Sequence, residues 1–312
     1  MFSRFVSTGA ALPWTVVSNA SLELELETSD EWITARTGIR QRHVADATID
    51  TSNLALEAAK QALTRANVGA RSLDVIVVGT ITADMVFPST AALLQSKLGA
   101  RTIGAFDVSA ACSGFVYALA VADAMIRSRV ARTALVVGAE KMSKIVDPTD
   151  RATRVLFGDG AAAVVLEGAD APGILSTHLH ADGSAPEELY CAPSTGDRFI
   201  RMQGGHVFRF AVRAIVEAAR EALAANELGV DEVDWFVPHQ ANRRIIETAA
   251  KHLGIPLERV VITVAEHANT SAASVPLALD AAVTDGRIRP GHKVLLIGVG
   301  GGFTWASSLL VW

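Results

Sequence analysis

The sequence predicts an α/β protein made of two duplicated βα halves packed as one body. Two observations carry the prediction. Apolar runs of strand length alternate with alanine-rich runs of helical spacing along the chain. The order of these runs also occurs twice. No Pro/Gly/Ser-rich linker divides the copies, so the halves, residues 1–170 and 171–312, are expected to share one body.

The first copy opens on "LDVIVVGTITADMVFPSTAALLQSKLGA", a strand, a loop and a helix starting near Ser89. "VDWFVPHQANRRIIETAAKHLGI" follows the same plan in shorter form. Next come "GAFDVSAACSGFVYALAVADAMIRSRVARTALVVGAE" and its echo, "VVITVAEHANTSAASVPLALDAAVTDGRIRPGHKVLLIGVGGG". Each has a β-rich run, a turn of small residues, an alanine-rich helix and a buried strand. A further strand closes each copy, "AAAVVLEG" or "WASSLLVW". Two amphipathic helices complete the pattern, "TSNLALEAAKQALTRANV" and "VFRFAVRAIVEAAREALAANEL". Their apolar stripes are core faces.

The bulk properties limit the function. Half of the 312 residues are hydrophobic, enough for a large core. The net charge is −5 with no basic run, which argues against nucleic acid. No stretch approaches a membrane span, and the N-terminus lacks a secretory h-region. With only two cysteines, no disulfide framework is expected. A cytoplasmic enzyme is the expectation. His178 and His180 in "STHLHADG" alternate as on a strand and have no carboxylate or cysteine at metal-binding spacing, so no metal site is expected. "FGDGAA" is followed by a strand and not a helix, and the glycines 300–302 lack a Walker lysine. Neither is a nucleotide loop.

One of the two cysteines, Cys112, stands where a strand gives way to a helix. Its counterpart in the second copy is the turn "HANTSAAS", with Asn269. A duplicated body tends to bring corresponding turns together near its pseudo-twofold axis, which would place a thiol and an amide in one crevice. His239 follows the strand "DWFVP", at the C-terminal end where α/β sheets hold their sites. A helix start is worth about 1 kcal/mol to a thiolate, or roughly 0.7 pKa units. That would raise the thiolate fraction at pH 7 from about 3% to on the order of 15%. His267 stands beside the Asn269 turn with no assigned role. Cys191, in the polar stretch "EELYCAPSTGD", is read as an incidental loop residue.

The stretches "TSDEWITARTGIRQR", "ACSGFVYAL", "RVLFGDGAAAVVL", "VPHQANRRII", "NTSAASVPLAL" and "GGGFTW" span nearly the whole chain. Their order and spacing resemble β-ketoacyl-[acyl-carrier-protein] synthase III, among the thiolase-fold condensing enzymes. The resemblance implies a layered α-β-α-β-α body. It implies that Cys112 accepts an acyl group from acyl-CoA, and that His239 and Asn269 serve condensation with malonyl-carrier protein. Backbone N–H groups of Cys112 and Gly301 would form the oxyanion hole. Thr28, Trp32, Arg36, Arg151, Phe208 and Asn242 match CoA-binding positions. Phe87 matches a residue that caps the primer pocket of a neighbouring subunit, so a homodimer is implied. No cofactor is implied, since acyl-CoA is a substrate. An acidic carrier would need a basic face, for which Arg209, Arg213, Arg244 and Lys251 are candidates.

Close relatives separate by absence. Thiolases carry a second catalytic cysteine in the C-terminal glycine stretch, and "GVGGGF" has none. The elongating synthases use two histidines where this chain has His239 and Asn269. A papain-like Cys-His-Asn hydrolase is disfavoured by the duplicated pattern. The rival readings are a same-fold acyltransferase or specialised condensing enzyme with an unusual acyl-CoA or acceptor, and a non-catalytic carrier-binding subunit. Intact Cys112, His239 and Asn269 argue against the last. Ala268 and Ala306 stand where relatives usually have glycine. Alanine at 268 would be strained if the backbone there needs a positive φ.

Overall fold

The computed structural model describes residues 1–312. Its nine principal strands form two sheets. In the first, β1 (Phe2–Ala11) pairs antiparallel with β5 (Gly160–Ala169), and β5 antiparallel with β4 (Thr133–Glu140). The sheet continues in parallel through β2 (Val75–Gly79) to β3 (Gly104–Val108). In the second, β7 (Trp235–Pro238) runs parallel to β8 (Lys293–Gly300), which pairs antiparallel with β9 (Thr304–Val311). The last strand, β6 (Ile174–Ala181), pairs antiparallel with β9. The sheets have the same order, except that the counterpart of β3 is reduced to one parallel bridge between Phe236 and Val260.

The layering follows from burial. β4 and β8 are buried almost throughout, as strands covered on both faces must be. Helices α2 (Thr51–Ala66) and α3 (Thr90–Lys97) cover the outer face of the first sheet. Helices α5 (Gly204–Ala225) and α6 (Arg243–Leu253) cover the outer face of the second. Between the sheets lie α4 (Gly114–Arg127) and α7 (Ser274–Thr284), the two alanine-rich helices of the repeat. Val116 and Leu119 of α4 and Val275 and Ala278 of α7 share a core with residues of both sheets. The result is a five-layer α-β-α-β-α body. A short helix, α1 (Asp30–Thr37), lies outside the layers, packed against α6.

The ends of the elements follow local chemistry. Ser89 caps α3 by accepting a hydrogen bond from the Ala92 N–H at 3.1 Å. Asn67, in the left-handed region at φ 54°, ends α2. "EELYCAPSTGD" departs from the expected loop. Leu189–Ala192 and Asp197–Met202 form a hairpin, turned at Pro193–Gly196 with Gly196 at φ 92°. Its strands are short, and turn residues interrupt them in the window, so the sequence hides it.

The Cys112 and Asn269 turns are seated crosswise. Gly138 on β4, in the first half, lies under the Asn269 turn of the second. A Cβ there would stand 2.3 Å from the Ala272 carbonyl oxygen. Gly298, its counterpart on β8, lies under the Cys112 turn of the first half, where a Cβ would stand 2.8 Å from Ser113 Cα. Each half thus supplies the floor for the other's turn. Gly138→Ala should lower stability by about 1–3 kcal/mol through overpacking against backbone. It should also displace the Asn269 turn. Denaturant melts checked beside a distant Gly69→Ala control, where a Cβ meets nothing within 4 Å, measure this, and equal midpoints for Gly138→Ala and wild type would refute the close approach.

Candidate active site

Cys112 sits in a 3₁₀ turn, Ala111–Ser113, that leads into α4. Ala111 takes φ 45°, a left-handed conformation that presents the next residue outward from the strand end. Gly300, at the end of β8, closes on this turn. A Cβ there would come within 2.5 Å of the Cys112 backbone nitrogen, so only glycine leaves that N–H uncovered. Gly301, the expected oxyanion donor, is the next residue.

Asn269 is held from both sides. Its N–H donates to the Leu156 carbonyl at 2.9 Å, and its carbonyl accepts from Gly158 N–H at 3.0 Å. Its side-chain Oδ1 accepts from Ser271 N–H at 2.9 Å. That bond leaves the Nδ2 donors to face the cavity. Ala268, just before it, takes φ 57° and ψ −161°. This region is almost exclusive to glycine and costs on the order of 1–3 kcal/mol. The strain expected from the sequence is therefore present, next to the residue it positions.

His239 follows β7 and is buried. Its Nδ1 lies 2.5 Å from Ser274 Oγ, and its backbone N–H donates to Ile297 O at 2.7 Å. Burial pushes its pKa down to about 3, so the imidazole is neutral at any working pH. Cys112, His239 and Asn269 all line one cavity of about 160 Å³. The symmetry argument from the repeat therefore holds for the two turns. Phe157, Leu189, Met202, Phe210 and Phe303 make most of the remaining wall apolar. Phe210 stacks on Phe303 with ring centroids 3.9 Å apart.

The thiol differs from expectation. Burial pushes Cys112 up to about 12 against an ordinary 9.0, although the Ser271 hydroxyl favours the thiolate. Three pKa units correspond to about 4 kcal/mol. The helix start supplies about 1 kcal/mol, so desolvation wins. Cys112 therefore rests as a thiol and not as the partial thiolate that the helix position implied.

Three groups escaped the sequence. Glu140, at the end of β4, is fully buried. It accepts from Ser271 Oγ at 3.0 Å, Thr80 Oγ1 at 3.1 Å and Ile81 N–H at 3.1 Å. Burial pushes its carboxyl up to about 7. Gln240 fastens the His239 loop to the segment before Asn269. Its Nε2 donates to Val261 O at 3.0 Å, and its Oε1 accepts from Thr263 N–H at 2.8 Å. Ser274 is the third. "PHQAN" offered Gln240 as a polar neighbour, but nothing local marked Glu140 or Ser274.

Phe208 and Asn242 line the same cavity. The other expected CoA positions cluster nearby. Arg36 and Arg151 place their guanidinium carbons 5.8 and 4.9 Å from the Trp32 ring centroid. Arg151 donates to the Glu27 carbonyl at 2.8 Å, beside Thr28, and Asn242 Nδ2 donates to Arg36 O at 3.1 Å. Arg209 and Arg213 on α5 and Arg244 and Lys251 on α6 are exposed, and none has a carboxylate partner. Arg244 lies over Phe208, 5.7 Å from its centroid. Phe87 does not pack beneath its own loop, where it is 82% exposed beside Val86 at 96%.

Other residues fall outside the cavity. Cys191 is half-buried in the hairpin and donates from Sγ to Arg198 O at 3.2 Å. His267 is half-buried with its enclosed Nδ1 unpaired, and desolvation lowers its pKa to about 4. His178 and His180 meet a carboxylate that no sequence spacing marked. Glu221 of α5 lies 3.5 Å from the one and 2.6 Å from the other, brought there by packing and not by spacing.

Comparison with known proteins gives one consistent result. The family model described as 3-oxoacyl-[acyl-carrier-protein (ACP)] synthase III matches residues 106–183, and the model of its C-terminal part matches residues 223–312. A β-ketoacyl-[acyl-carrier-protein] synthase III from Xanthomonas campestris pv. campestris is 53% identical, over 99% of this chain and 98% of that protein. The solved 3-oxoacyl-[acyl-carrier-protein] synthase III of Aquifex aeolicus VF5 superposes with a TM-score of 0.96 at 45% identity, covering 99% of this chain and 100% of that one. Its counterpart from Pseudomonas aeruginosa PAO1 gives 0.96 at 41% identity, covering 100% and 98%.

Two outcomes follow from this geometry. A thiol at about 12 is far above the assay range, so its thiolate fraction rises tenfold per pH unit throughout. Alkylation of Cys112 by iodoacetamide should climb with that slope from about pH 7 to 9. A plateau near pH 8, where a helix start alone would put the thiol, would contradict the burial argument. Ala268→Gly should relieve strain of roughly 1–3 kcal/mol, less up to about 1 kcal/mol of added chain entropy. A higher melting temperature is expected, and a lower one would mean that the positive φ is not maintained.

Proposed function

The chain belongs to the 3-oxoacyl-[acyl-carrier-protein] synthase III family, and from that premise we propose how its residues divide the reaction. It is a condensing acyltransferase that initiates fatty acid synthesis. The observation that carries the residue roles is the convergence of one thiol and two fixed amide and imidazole groups on one apolar cavity.

In the first half-reaction Cys112 Sγ attacks the carbonyl carbon of a short acyl-CoA. The bond to the CoA sulfur breaks, and the thiol proton leaves with CoA as its own thiol. The backbone N–H groups of Cys112 and Gly301 stabilise the oxyanion. Gly300 supports this role, since a side chain there would cover the Cys112 N–H. In the second half-reaction malonyl-[acyl-carrier protein] loses CO2. The electron pair of the broken C–C bond passes into an enolate whose oxygen accepts from His239 and Asn269. The enolate carbon attacks the acyl-Cys112 thioester, and the released Cys112 sulfur regains a proton. Neutral His239 suits donation to an enolate, because a charged imidazolium would be costly in this buried site.

Substrate delivery uses the outer groups. Trp32, flanked by Arg36 and Arg151, offers a stacking face with cations beside it for the nucleotide of CoA. Thr28, Phe208 and Asn242 continue that path toward Cys112. Arg209, Arg213, Arg244 and Lys251 carry unneutralised charge in a chain of net charge −5, which favours an acidic carrier protein. Phe87 and its apolar neighbours Met85 and Val86 suit a homodimer in which Phe87 limits the partner's acyl pocket. No helix is long and apolar enough to cross a membrane, and the cytoplasm is the proposed location.

Mass mapping after incubation with acetyl-CoA should place the acyl group on Cys112, and added malonyl-carrier should yield a β-ketoacyl-carrier product. His239→Ala and Asn269→Ala should each slow malonyl decarboxylation about a hundredfold while Cys112 acylation changes far less. Phe87→Thr should extend primer use to longer acyl-CoA. An adduct on Cys191, or an ester or amide product, would replace this reading with that of another acyltransferase.

A further inference from the structure

We propose that Ser274 is a positioning residue that holds His239 with its proton on Nε2, so that the imidazole is a fixed donor toward the cavity and not a base. The inference deepens the role of His239 given above and rests on it. Ser274 is the first residue of α7 and is 1% exposed. Its Oγ lies 2.5 Å from His239 Nδ1. The same oxygen receives the Gln240 N–H at 3.4 Å. A hydroxyl has one proton and two lone pairs. With the Gln240 N–H already directed at the oxygen, and no backbone carbonyl accepting from it, the hydroxyl proton goes to Nδ1. Nδ1 is then the acceptor, and the ring proton must sit on Nε2, the nitrogen on the far edge.

Two features oppose the alternative, in which Nδ1–H donates to Ser274 and Nε2 is left as a base. The start of α7 carries positive potential, which disfavours protonating a base beside it. Asn269 is also arranged as a donor, because Ser271 N–H occupies its Oδ1. Ser271 and Ser274 stand three residues apart in one turn. The first sets the orientation of the amide and the second sets the tautomer of the imidazole. Both cavity-facing groups then point N–H bonds at a thioester oxygen. The thiol proton of Cys112 consequently leaves by a route other than His239.

The test uses full-length enzyme labelled with ¹⁵N-histidine, with His239→Gln serving only to assign the resonance. Wild type should show His239 Nδ1 unprotonated and Nε2 protonated. Ser274→Ala should weaken that preference. Ser274→Asp should reverse it, because a carboxylate can only accept from Nδ1–H. In parallel, Ser274→Ala should lower kcat for malonyl-carrier decarboxylation on the order of tenfold, and Ser274→Asp about a hundredfold or more, as for a lost or misdirected donor. KM for the malonyl-carrier and the rate of Cys112 acylation should stay within about twofold if His239 acts only as donor. A wild-type proton on Nδ1 would overturn the proposal. So would equal loss of acylation and decarboxylation in Ser274→Ala, whose small side chain keeps the fold assessable by melting. If His239→Ala left decarboxylation intact, the role of His239 would fall, while the nitrogen shifts would still decide the tautomer.

Discussion

Everything at the site depends on the close approach of two backbone turns to two glycine-bearing strands. Ala272 rests on Gly138 and Ser113 rests on Gly298, at distances that leave no room for a methyl group. Because each strand belongs to the half opposite its turn, the halves cannot separate without dismantling the cavity. The central helices α4 and α7 start from these turns, so the same contacts set their depth between the sheets. Positive φ values at Ala111, Ala268 and Ser271 are the local consequence. Chain direction changes abruptly at each, and the packing around them offsets the strain.

The depth of this seat also sets the electrostatics. Cys112, His239 and Glu140 are all buried, and all three shift toward the neutral form, the thiol and carboxyl upward and the imidazole downward. The site is therefore rich in donors and poor in charge. Such a site favours a transition state that develops negative charge on oxygen, because fixed dipoles stabilise that charge without reorganising. Three of the polar groups around Cys112 are well bonded. Gln240, Ser274 and Glu140 each satisfy buried neighbours that would otherwise be costly orphans.

The outer surface has the opposite character. Cations on α5 and α6 stand without carboxylate partners close to the cavity wall that Phe208 helps to form. Apolar residues 85–87 project on a different loop. Rigid buried donors at the centre are thus combined with exposed charge and an exposed aromatic at the edges.

The sequence by itself determined the elements and their order, because strand and helix periodicities are local and the repeat is visible in residue order. It also brought out Cys112, His239 and Asn269, through the matching turns and the resemblance, and it foresaw the strain at Ala268. Tertiary structure alone decided how these groups behave. Ser274 reaches His239 across 35 residues and Ser271 reaches Glu140 across 131, separations that no local pattern encodes. The thiol pKa reversed its expected direction because burial is a property of the whole packed body, whereas the helix start that would lower it is legible in a few residues. Glu221 met His178 and His180 for the same reason, since only the packing of α5 on β6 put a carboxylate beside them.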